Sequence, residues 1–370
     1  MSADLKGPQE LRSEVIDGQL CALCGACVGV CPYLVSHQGR IVVMDECNLS
    51  EGRCYAVCPR TSVDFDELNR VVFGVPRPDG ELGVVQEILM ARAGEGAARK
   101  RGQYGGTVSA LMSFALREGL IDSAVLTSSN EALLPAGNAV RDESGVLDCA
   151  GSNFVAAPTL AEFNREAATD AQRIGVVATS CQVLALAKMR ASPLEQGNHI
   201  EKLKLVVGLF CTWALRYEDF VEFLREKTDL AEITKVDIPP PPAEVFEVYS
   251  NSSCVKLPLD EVRSFIRSTC DLCTDMTAEL ADVSVGAAEG VLGWNTLIVR
   301  SETGAELVKK AAQGGVIETA ALPEENLQHL KEAARGKRKR ALRNIVDRTG
   351  SSEDLLYLKL SEEALERLLA

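Results

Sequence analysis

The apolar positions of the chain alternate between two spacings. Short continuous runs at 124–127, 174–178 and 205–210 are typical of strands buried on both faces. Between such runs apolar residues recur every three or four positions, and after Thr107 they are Val108, Leu111, Met112, Ala115 and Leu116. Strands that alternate with amphipathic helices predict an α/β domain over residues 84–305, with a mostly parallel or mixed sheet and helices on both faces.

Weaker patterns complete this domain and extend it. Residues 84–93 fit a strand or a short helix, residues 281–286 and 294–300 fit strands, and residues 245–255 fit a hairpin that follows a proline break at 239–242. We expect residues 306–370 to form a mainly helical region packed on the α/β domain. Its basic run at 337–340 is expected to be a solvated helix face, and docking of an acidic partner is the alternative.

The first 83 residues follow a different pattern. Residues 1–18 are predicted to be a polar lead-in, and residues 19–75 a small cysteine-rich α+β domain with a short strand at 39–44. Residues 76–83 contain two prolines and two glycines and fit a linker. A domain of this size has too small a core to be stable without its metal groups.

Seven of the thirteen cysteines lie between residues 19 and 60. The first four reproduce the C-x2-C-x2-C-x3-C-P run of bacterial-type ferredoxins, in which the cysteine before proline binds the neighbouring cluster. One 4Fe–4S cluster is therefore predicted to be held by Cys21, Cys24, Cys27 and Cys58. Ligands to a second cluster are predicted to be Cys31, Cys47 and Cys54.

The second cluster lacks one expected cysteine, and Glu51 stands in its place. The site is predicted to hold a 3Fe–4S cluster, a 4Fe–4S cluster whose fourth ligand is Glu51 or solvent, or a rearranged cluster. A solvated loop position is the simpler interpretation of Glu51. A zinc ribbon needs fewer and differently spaced cysteines, so it does not explain the first cluster.

A third set of cysteines is spread over the α/β domain, at Cys181, Cys211, Cys270 and Cys273. The first two each follow a predicted strand, so they should lie at the carboxyl edge of the sheet, where α/β proteins place ligands. The Cys-x2-Cys pair would close the site. Zinc and a 4Fe–4S cluster both fit four thiolates in this arrangement.

A glycine pair opens the helix predicted after residue 106. Gly105 and Gly106 would let a ligand approach bare backbone N–H groups at the positive end of the helix dipole. A plain chain reversal explains a glycine pair equally well. The basic triplet at 99–101 favours an anionic ligand.

Composition and charge exclude several classes of protein. The 370 residues are 46% hydrophobic and 25% charged, and no apolar run approaches the roughly 20 residues of a membrane span. The start lacks the apolar core of a signal peptide, so thirteen cysteines favour metal clusters in the reducing cytoplasm over disulfides. A net charge of −14 argues against nucleic-acid binding and is compatible with a subunit that docks a partner protein.

Six motifs carry a family resemblance. They are Y-G-G-T-V-S-A-L at 104–111, V-A-T-S-C-Q-V at 177–183, G-L-F-C at 208–211, C-D-L-C-T-D at 270–275, A-D-V-S-V-G at 281–286 and G-W-N-T-L-I-V-R at 293–300. Together they resemble the beta-subunit family of coenzyme F420-reducing hydrogenases and F420-linked dehydrogenases. That family includes the beta subunit of F420-dependent formate dehydrogenase and the input subunit of the F420H2 dehydrogenase. The resemblance extends over about residues 19–305.

The resemblance implies an FAD in the α/β domain beside one 4Fe–4S cluster. Carried onto this chain, the cluster ligands are Cys181, Cys211, Cys270 and Cys273. The implied flavin-binding residues are Gln103, Tyr104, Gly105, Gly106 and Thr107, assisted by Gly293, Asn295 and Thr296. Ser180 replaces the proline that the family usually has before the first of these cysteines, and proline is not a ligand.

The resemblance also implies an F420-dependent oxidoreductase. We expect hydride exchange between coenzyme F420 and FAD. We also expect single-electron transfer through two or three iron–sulfur clusters, which are 4Fe–4S clusters except that the second N-terminal one is a candidate 3Fe–4S cluster. The expected partner is a hydrogenase, a formate dehydrogenase, a heterodisulfide reductase or a membrane complex. Since the cofactors carry the chemistry, no catalytic side chain is predicted. Two alternatives stay open, a ferredoxin-dependent flavin/iron–sulfur reductase of an organic substrate and a non-catalytic electron-relay subunit.

Overall fold

The computed structural model describes residues 5–129, 133–194, 199–239, 243–251 and 253–369, so most of the predicted proline break lies outside it. The strands are β1 (Leu34–His37), β2 (Arg40–Val43), β3 (Glu87–Ala93), β4 (Ser123–Ser129), β5 (Pro135–Val140), β6 (Ile174–Thr179), β7 (Leu203–Leu209), β8 (Ile233–Asp237), β9 (Val245–Ser250), β10 (Cys254–Pro258), β11 (Val283–Ala287), β12 (Asn295–Val299) and β13 (Ile317–Ala321).

The α-helices are α1 (Pro8–Glu10), α2 (Arg53–Ala56), α3 (Phe65–Phe73), α4 (Ala97–Arg101), α5 (Thr107–Arg117), α6 (Glu143–Asp148), α7 (Thr159–Ala167), α8 (Ser180–Ala191), α9 (Tyr217–Arg225), α10 (Leu259–Arg263), α11 (Glu302–Gln313), α12 (Glu324–Thr349) and α13 (Glu362–Leu369). A π-helix at Leu11–Ile16 continues α1, and 3-10 turns lie at Ile200–Lys202, Leu230–Glu232 and Ser268–Leu272. In the part of the chain described, no helix is both long and apolar enough to cross a membrane.

A mixed sheet of eight strands occupies the centre, in the order β13-β3-β12-β11-β7-β6-β4-β5. Strands β11, β7, β6 and β4 run parallel to one another. Strand β12 is antiparallel to both β11 and β3, so β3 runs in the same direction as the parallel group. Five carboxyl ends therefore meet at one edge, and the predicted mixed sheet is confirmed.

Helices cover both faces of this sheet. Successive residues of β6, Val176 and Val177, belong to two different hydrophobic cores, as the alternation of side chains along a strand requires. Helices α5 and α11 contribute to the core that contains Val177. Helices α7 and α8 contribute to the core that contains Val176. The amphipathic pattern predicted after Thr107 is confirmed, because α5 begins there and buries Leu111 and Met112 completely.

The cysteine-rich N-terminal region packs on the α7 side of the sheet. The side-chain amide of Asn164 in α7 donates to the carbonyls of Ala26 and Val28, and Leu160 N donates to Cys24 O at 3.0 Å. A side chain at Gly25 would meet Pro158 O at 2.4 Å, so glycine is needed for this close approach. The region shares one core with α7 and α8.

Both ends of the chain take part in this packing. Residues predicted as a polar lead-in are helical at 8–16 and bury Leu11 and Val15 in the core below the first cysteine loop. The C-terminal region adds β13 to one edge of the sheet and the 26-residue helix α12. Beyond α12, Tyr357 O accepts from Val63 N at 2.7 Å, which joins the chain end to the cysteine-rich region.

Candidate functional site

The carboxyl edge of the sheet brings together the four cysteines of the third set. Cys181 lies in the first turn of α8, directly after β6, and Cys211 follows β7. The 3-10 turn Ser268–Leu272 carries Cys270 and leads into Cys273. A hydrogen bond of 2.8 Å from Cys211 N to Met276 O holds this segment against the end of β7. These four residues are called the central set below.

Cys273 of the central set is buried, the other three cysteines are partly buried, and the four thiols are close enough to affect one another's ionisation. Burial raises the pKa of Cys270 to about 11, the N–H of Ala214 offsets part of that rise, and Cys273 and Cys181 add to it. Burial raises the pKa of Cys211 furthest, with Cys270, Cys181 and Cys273 adding to it. The structure therefore groups the four residues that the resemblance implied as ligands.

Two buried cations flank the central set, and the sequence analysis did not predict either of them. Arg60 is 4% exposed, lies over the ring of Tyr357 at 4.6 Å and is close enough to Cys273 for its charge to act on that thiol. Lys337 is 5% exposed and donates to Cys211 O at 2.6 Å and to Asp275 O at 2.8 Å. Burial alone would raise the pKa of Cys273, but Lys337 and Arg60 outweigh it and lower that pKa.

The prediction of a solvated basic face at 337–340 is therefore wrong for its first two residues. Arg338, 8% exposed, pairs with the buried carboxylate of Glu279 at 2.5 Å. Arg77 from the linker pairs with the same carboxylate at 2.7 Å. The run turns inward because α12 crosses the segment that carries Cys273, and the helical period places positions 337 and 338 on that side.

The first set of the N-terminal region surrounds a cavity. Its lining includes the four predicted ligands Cys21, Cys24, Cys27 and Cys58, with apolar Leu11, Val15 and Ile41. Burial raises the pKa of Cys24, and negative charge on Cys58, Cys181 or Cys21 raises it further. Lys188, 5% exposed, donates to Thr61 Oγ1 at 2.6 Å and to Ser62 O at 2.8 Å, and its charge offsets part of the rise that burial causes in the pKa of Cys58.

The second set, in the N-terminal region, consists of partly buried Cys31 and Cys47 and buried Cys54. Burial raises the pKa of Cys54 to about 12, with contributions from Cys31 and Cys47, so these three thiols lie together. Glu51 is exposed. Among the described residues, three of the seven large hydrophobic side chains that are exposed lie beside this set, at Tyr33 (38%), Met44 (64%) and Leu49 (64%). Tyr33 and Met44 are cross-strand neighbours, since Met44 N donates to Tyr33 O at 2.7 Å.

The three sets form a series. Cys24 of the first set is within electrostatic range of Cys181 of the central set, and Cys27 is within range of Cys54 of the second set. Thr269 joins the loops of the central and first sets, because it accepts from Arg60 Nε at 3.0 Å and donates to Leu20 O at 2.7 Å. No three His, Cys, Asp or Glu side chains within the described ranges are arranged to hold a single metal ion.

The loop predicted to bind flavin lies at the same edge of the sheet. Residues 103–107 connect β3 and α4 to α5, and residues 288–294 lead into β12. Asn295 joins the two segments, since its Oδ1 accepts from Thr107 Oγ1 at 2.8 Å and from Thr107 N at 3.3 Å. Gln103 donates to Asp237 Oδ1 at 2.5 Å, and Tyr104 donates to Ile238 O at 3.4 Å, so the end of β8 contacts the loop.

Close packing requires glycine at both positions of the pair. A side chain at Gly106 would meet Ala98 O at 2.2 Å, and one at Gly105 would meet Asn295 Oδ1 at 2.6 Å. The N–H of Thr107 is already capped by Asn295. By contrast, side chains at Gly290 and Gly293 would meet nothing within 4 Å, so open backbone lies in that second segment.

The basic triplet is also partly engaged. Arg99 pairs with Glu318 at 2.5 Å, and the same carboxylate pairs with Arg92 at 2.5 Å. Arg101 pairs with Asp148 at 3.0 Å, and Lys100 is exposed. Two of the three charges expected to attract an anion therefore serve ion pairs, and no local pattern indicated these partners. Arg92 also lies over the ring of Trp294 at 4.3 Å, which ties β3 to the second segment.

The chain is similar to known proteins in sequence and in fold. The family described as "Coenzyme F420 hydrogenase/dehydrogenase, beta subunit" matches in two parts, its N-terminal part at residues 88–163 and its C-terminal part at residues 171–325. Coenzyme F420 hydrogenase subunit beta of Methanothermobacter thermautotrophicus is 30% identical over 273 residues, which are 72% of this chain and 96% of the relative.

Two further comparisons extend the range of relatives. Coenzyme F420-dependent sulfite reductase of Methanocaldococcus jannaschii is 29% identical over 309 residues, which are 80% of this chain but 46% of that longer protein. A chain in the solved F420-reducing [NiFe] hydrogenase complex from Methanosarcina barkeri superposes with a TM-score of 0.68 at 25% identity, covering 74% of this chain and 96% of the other.

Proposed function

Since the chain belongs to the family of coenzyme F420 hydrogenase/dehydrogenase beta subunits, we propose that it exchanges a hydride between coenzyme F420 and a bound FAD. We further propose that it passes single electrons through iron–sulfur clusters to or from a partner oxidoreductase. One observation carries this proposal. The three cysteine sets form a series that begins at the sheet edge of the flavin loop and ends in the part of the N-terminal region that carries exposed Tyr33, Met44 and Leu49.

The residues of the central and first sets fit 4Fe–4S clusters. Each set offers four thiols, and thiolate is the preferred ligand of such clusters. Buried Lys337 and Arg60 beside the central set would compensate the negative charge of a thiolate-bound cluster. The second set offers three thiols, which fits a 3Fe–4S cluster or a 4Fe–4S cluster with a further ligand.

The edge of the sheet also fits a flavin. Residues 103–107 and 290–296 bracket it, and open backbone at Gly290 and Gly293 leaves room for a planar ligand. Strand β3, which leads into the flavin loop, is three strands from β7, which leads to Cys211, or about 14 Å at the usual strand spacing. A flavin between them would lie beside the central set.

A bound FAD would supply the chemistry, namely hydride exchange with the deazaflavin and single-electron exchange with a cluster. The chain's own residues position the segments that would hold these cofactors. Asn295 caps α5 and fixes the loop 103–107, while Gln103 and Tyr104 tie that loop to the end of β8. Thr269 and Arg60 hold the central and first sets against each other.

The second set is proposed as the exchange point with a partner. Its thiols lie beside exposed Tyr33, Met44 and Leu49, and the loop also carries exposed Asp45, Glu46 and Glu51. An apolar patch with a charged rim is typical of a transient protein–protein contact. The partner is proposed to be a catalytic oxidoreductase subunit such as a hydrogenase or a formate dehydrogenase.

Anaerobic purification followed by iron and flavin counts tests this function, with reduced F420 then added in stoichiometric amount. We expect flavin and eight or more iron atoms per chain from two or three clusters, roughly by their composition. We also expect bleaching of both the flavin and the broad iron–sulfur absorbance. Flavin that stays oxidised with reduced F420 but is reduced by ferredoxin would contradict the proposal and favour a ferredoxin-dependent reductase. Protein that binds clusters but no flavin would favour an electron relay.

A further inference from the structure

Lys337 approaches the central set from a part of the chain that the family match does not cover. The matched residues end at 325, and α12 carries Lys337 beyond them. Its ammonium donates to Cys211 O at 2.6 Å and to Asp275 O at 2.8 Å. One acceptor is the backbone carbonyl of Cys211, a member of the central set. The other is the backbone carbonyl of Asp275, two positions after Cys273.

The charge on this lysine is not neutralised by an ion pair. In the described portion of the chain, no carboxylate lies within 4.0 Å of its ammonium. The nearby carboxylate of Asp275 instead accepts from Thr277 N at 2.9 Å and from Glu279 N at 3.0 Å. The carboxylate of Glu279 is taken by Arg77 and Arg338. A buried charge is costly, and the carboxylate of Asp275 lies beyond ion-pair distance from it, so a further anion at the central cysteines would stabilise it.

Carbonyl binding alone does not explain a cation here. A neutral amide would serve two carbonyl acceptors at a much smaller cost of burial. A thiolate-bound iron–sulfur cluster is negative, and reduction makes it more so. Nearby positive charge therefore stabilises the reduced form, since net charge and burial are among the properties that set cluster potentials.

We propose that Lys337 is a positioning residue that raises the reduction potential of the cluster at Cys181, Cys211, Cys270 and Cys273. The inference rests on the proposed function, because it requires a cluster at these four thiols. With a raised potential this cluster accepts electrons readily from the flavin beside it. Arg60 acts in the same sense from the side of the first set.

A redox titration monitored by electron paramagnetic resonance tests this inference on the full-length, cluster-loaded protein. The signal of the central cluster is the one that disappears in Cys270→Ser. Lys337→Gln removes the charge but keeps a hydrogen-bond donor, and Lys337→Arg keeps the charge. Arg340→Gln removes an exposed charge from the same helix and is the matched control.

We expect Lys337→Gln to shift the midpoint of that signal to lower potential while iron and flavin contents stay at the wild-type level. Lys337→Arg and Arg340→Gln should keep the wild-type midpoint. An unchanged midpoint in an iron-replete Lys337→Gln protein overturns the inference. If Lys337→Gln loses iron, the Lys337→Arg variant distinguishes a requirement for the charge from a purely structural role. Restored iron with the wild-type midpoint supports a requirement for charge, and loss of iron there as well makes the lysine purely structural.

Failure of the proposed function gives a different result. In that case Cys270→Ser would leave the iron content and every signal of the wild-type protein unchanged. The inference would then fall together with the cluster on which it depends. An iron-replete protein with an unmoved midpoint would instead refute only the role of Lys337.

Discussion

The central set and the second set are built in opposite ways. The central set gathers cysteines from three separate segments over 93 residues at a sheet edge, and two buried cations flank them. The second set takes its cysteines from one continuous stretch of 24 residues, which contains the β1–β2 hairpin and carries exposed hydrophobic side chains. No ion pair or hydrogen bond from a cation to its thiols is found in the described residues.

The difference shows what each set is suited to do. A set with fixed, buried positive neighbours has its electrostatics determined by the protein, so its potential can be tuned by single side chains. A set without such neighbours, beside exposed apolar side chains, depends more on whatever docks there. We therefore expect changes at the central set to alter electron entry, and changes at the second set to alter only delivery to the partner.

Removal of one thiol from each set should give the largest effects. In Cys211→Ser, reduced F420 should still bleach the flavin, but iron–sulfur reduction and delivery to any external acceptor should fall to background. In Cys54→Ser, the central and first clusters should still be reduced and only delivery should fail. Rapid-mixing absorbance with iron counts measures both, and Cys149→Ser, outside all three sets, serves as the control. Equal failure of iron–sulfur reduction in both variants would contradict the proposed order.

Removal of the buried Glu279 carboxylate, which pairs with Arg77 and Arg338, should lower the stability of the protein. Burial alone would raise the pKa of Glu279, but Arg77 and Arg338 outweigh it and hold that pKa below its usual value. Glu279→Gln leaves two arginines unpaired, so we expect a loss of about 3 kcal/mol in the free energy of unfolding. Because the native pKa is lowered, the contribution of this carboxylate is present above the ordinary glutamate pKa and is lost as the pH falls through the native value.

Thermal unfolding at neutral and acidic pH measures this difference. Glu318→Gln is the control, because Glu318 also pairs with two arginines but is partly exposed to solvent. The control should change the unfolding temperature little. A similarly small change in the unfolding temperature of Glu279→Gln would show that the ion pairs of Glu279 do not stabilise the protein.

Loss of the cap that joins the two flavin segments should have an intermediate effect. Asn295→Ala removes the acceptor for Thr107 N and Thr107 Oγ1, which should destabilise α5 by about 1–2 kcal/mol and lower the flavin content. Iron content should not change. Ser301→Ala removes the cap of α11 at the opposite edge of the sheet, so it should cost similar stability without flavin loss. Equal flavin contents in Asn295→Ala and Ser301→Ala would show that Asn295 does not contribute to flavin binding.

The smallest effect is expected at the surface beside the second set. Met44→Gln with Leu49→Gln should weaken docking of the partner by about 1 kcal/mol, roughly fivefold, without changing flavin reduction by F420. Binding measurements with the purified partner subunit test this, and Val71→Gln, exposed on α3, is the control. An affinity unchanged in the double variant would place the contact elsewhere.

Local spacing predicted a large part of the cysteine sets. Cys21, Cys24 and Cys27 are close in sequence, so the ferredoxin pattern places them together before any fold is known. Cys181 and Cys211 could be placed at one edge because both follow buried strands, and parallel strands share their carboxyl ends.

The remaining features depend on contacts between distant segments. Lys337 and Arg338 looked like part of a solvated run, because nothing local shows that α12 crosses the Cys273 segment. Gly106 looked like a ligand-binding residue, and its close neighbour Ala98 O became visible only in the fold. The basic residue directly after Cys58-Pro59 was the one available signal for Arg60.

Rapid mixing of the oxidised, cluster-loaded protein with reduced F420 tests the central claim most directly, with flavin and iron–sulfur absorbance followed separately in wild type and in Cys270→Ser. The proposed route predicts that the flavin bleaches first in both proteins, that iron–sulfur bleaching follows only in the wild type, and that the clusters of the N-terminal region stay oxidised in the variant. Rapid iron–sulfur reduction in Cys270→Ser would show that electrons bypass the central set and would contradict the proposed route.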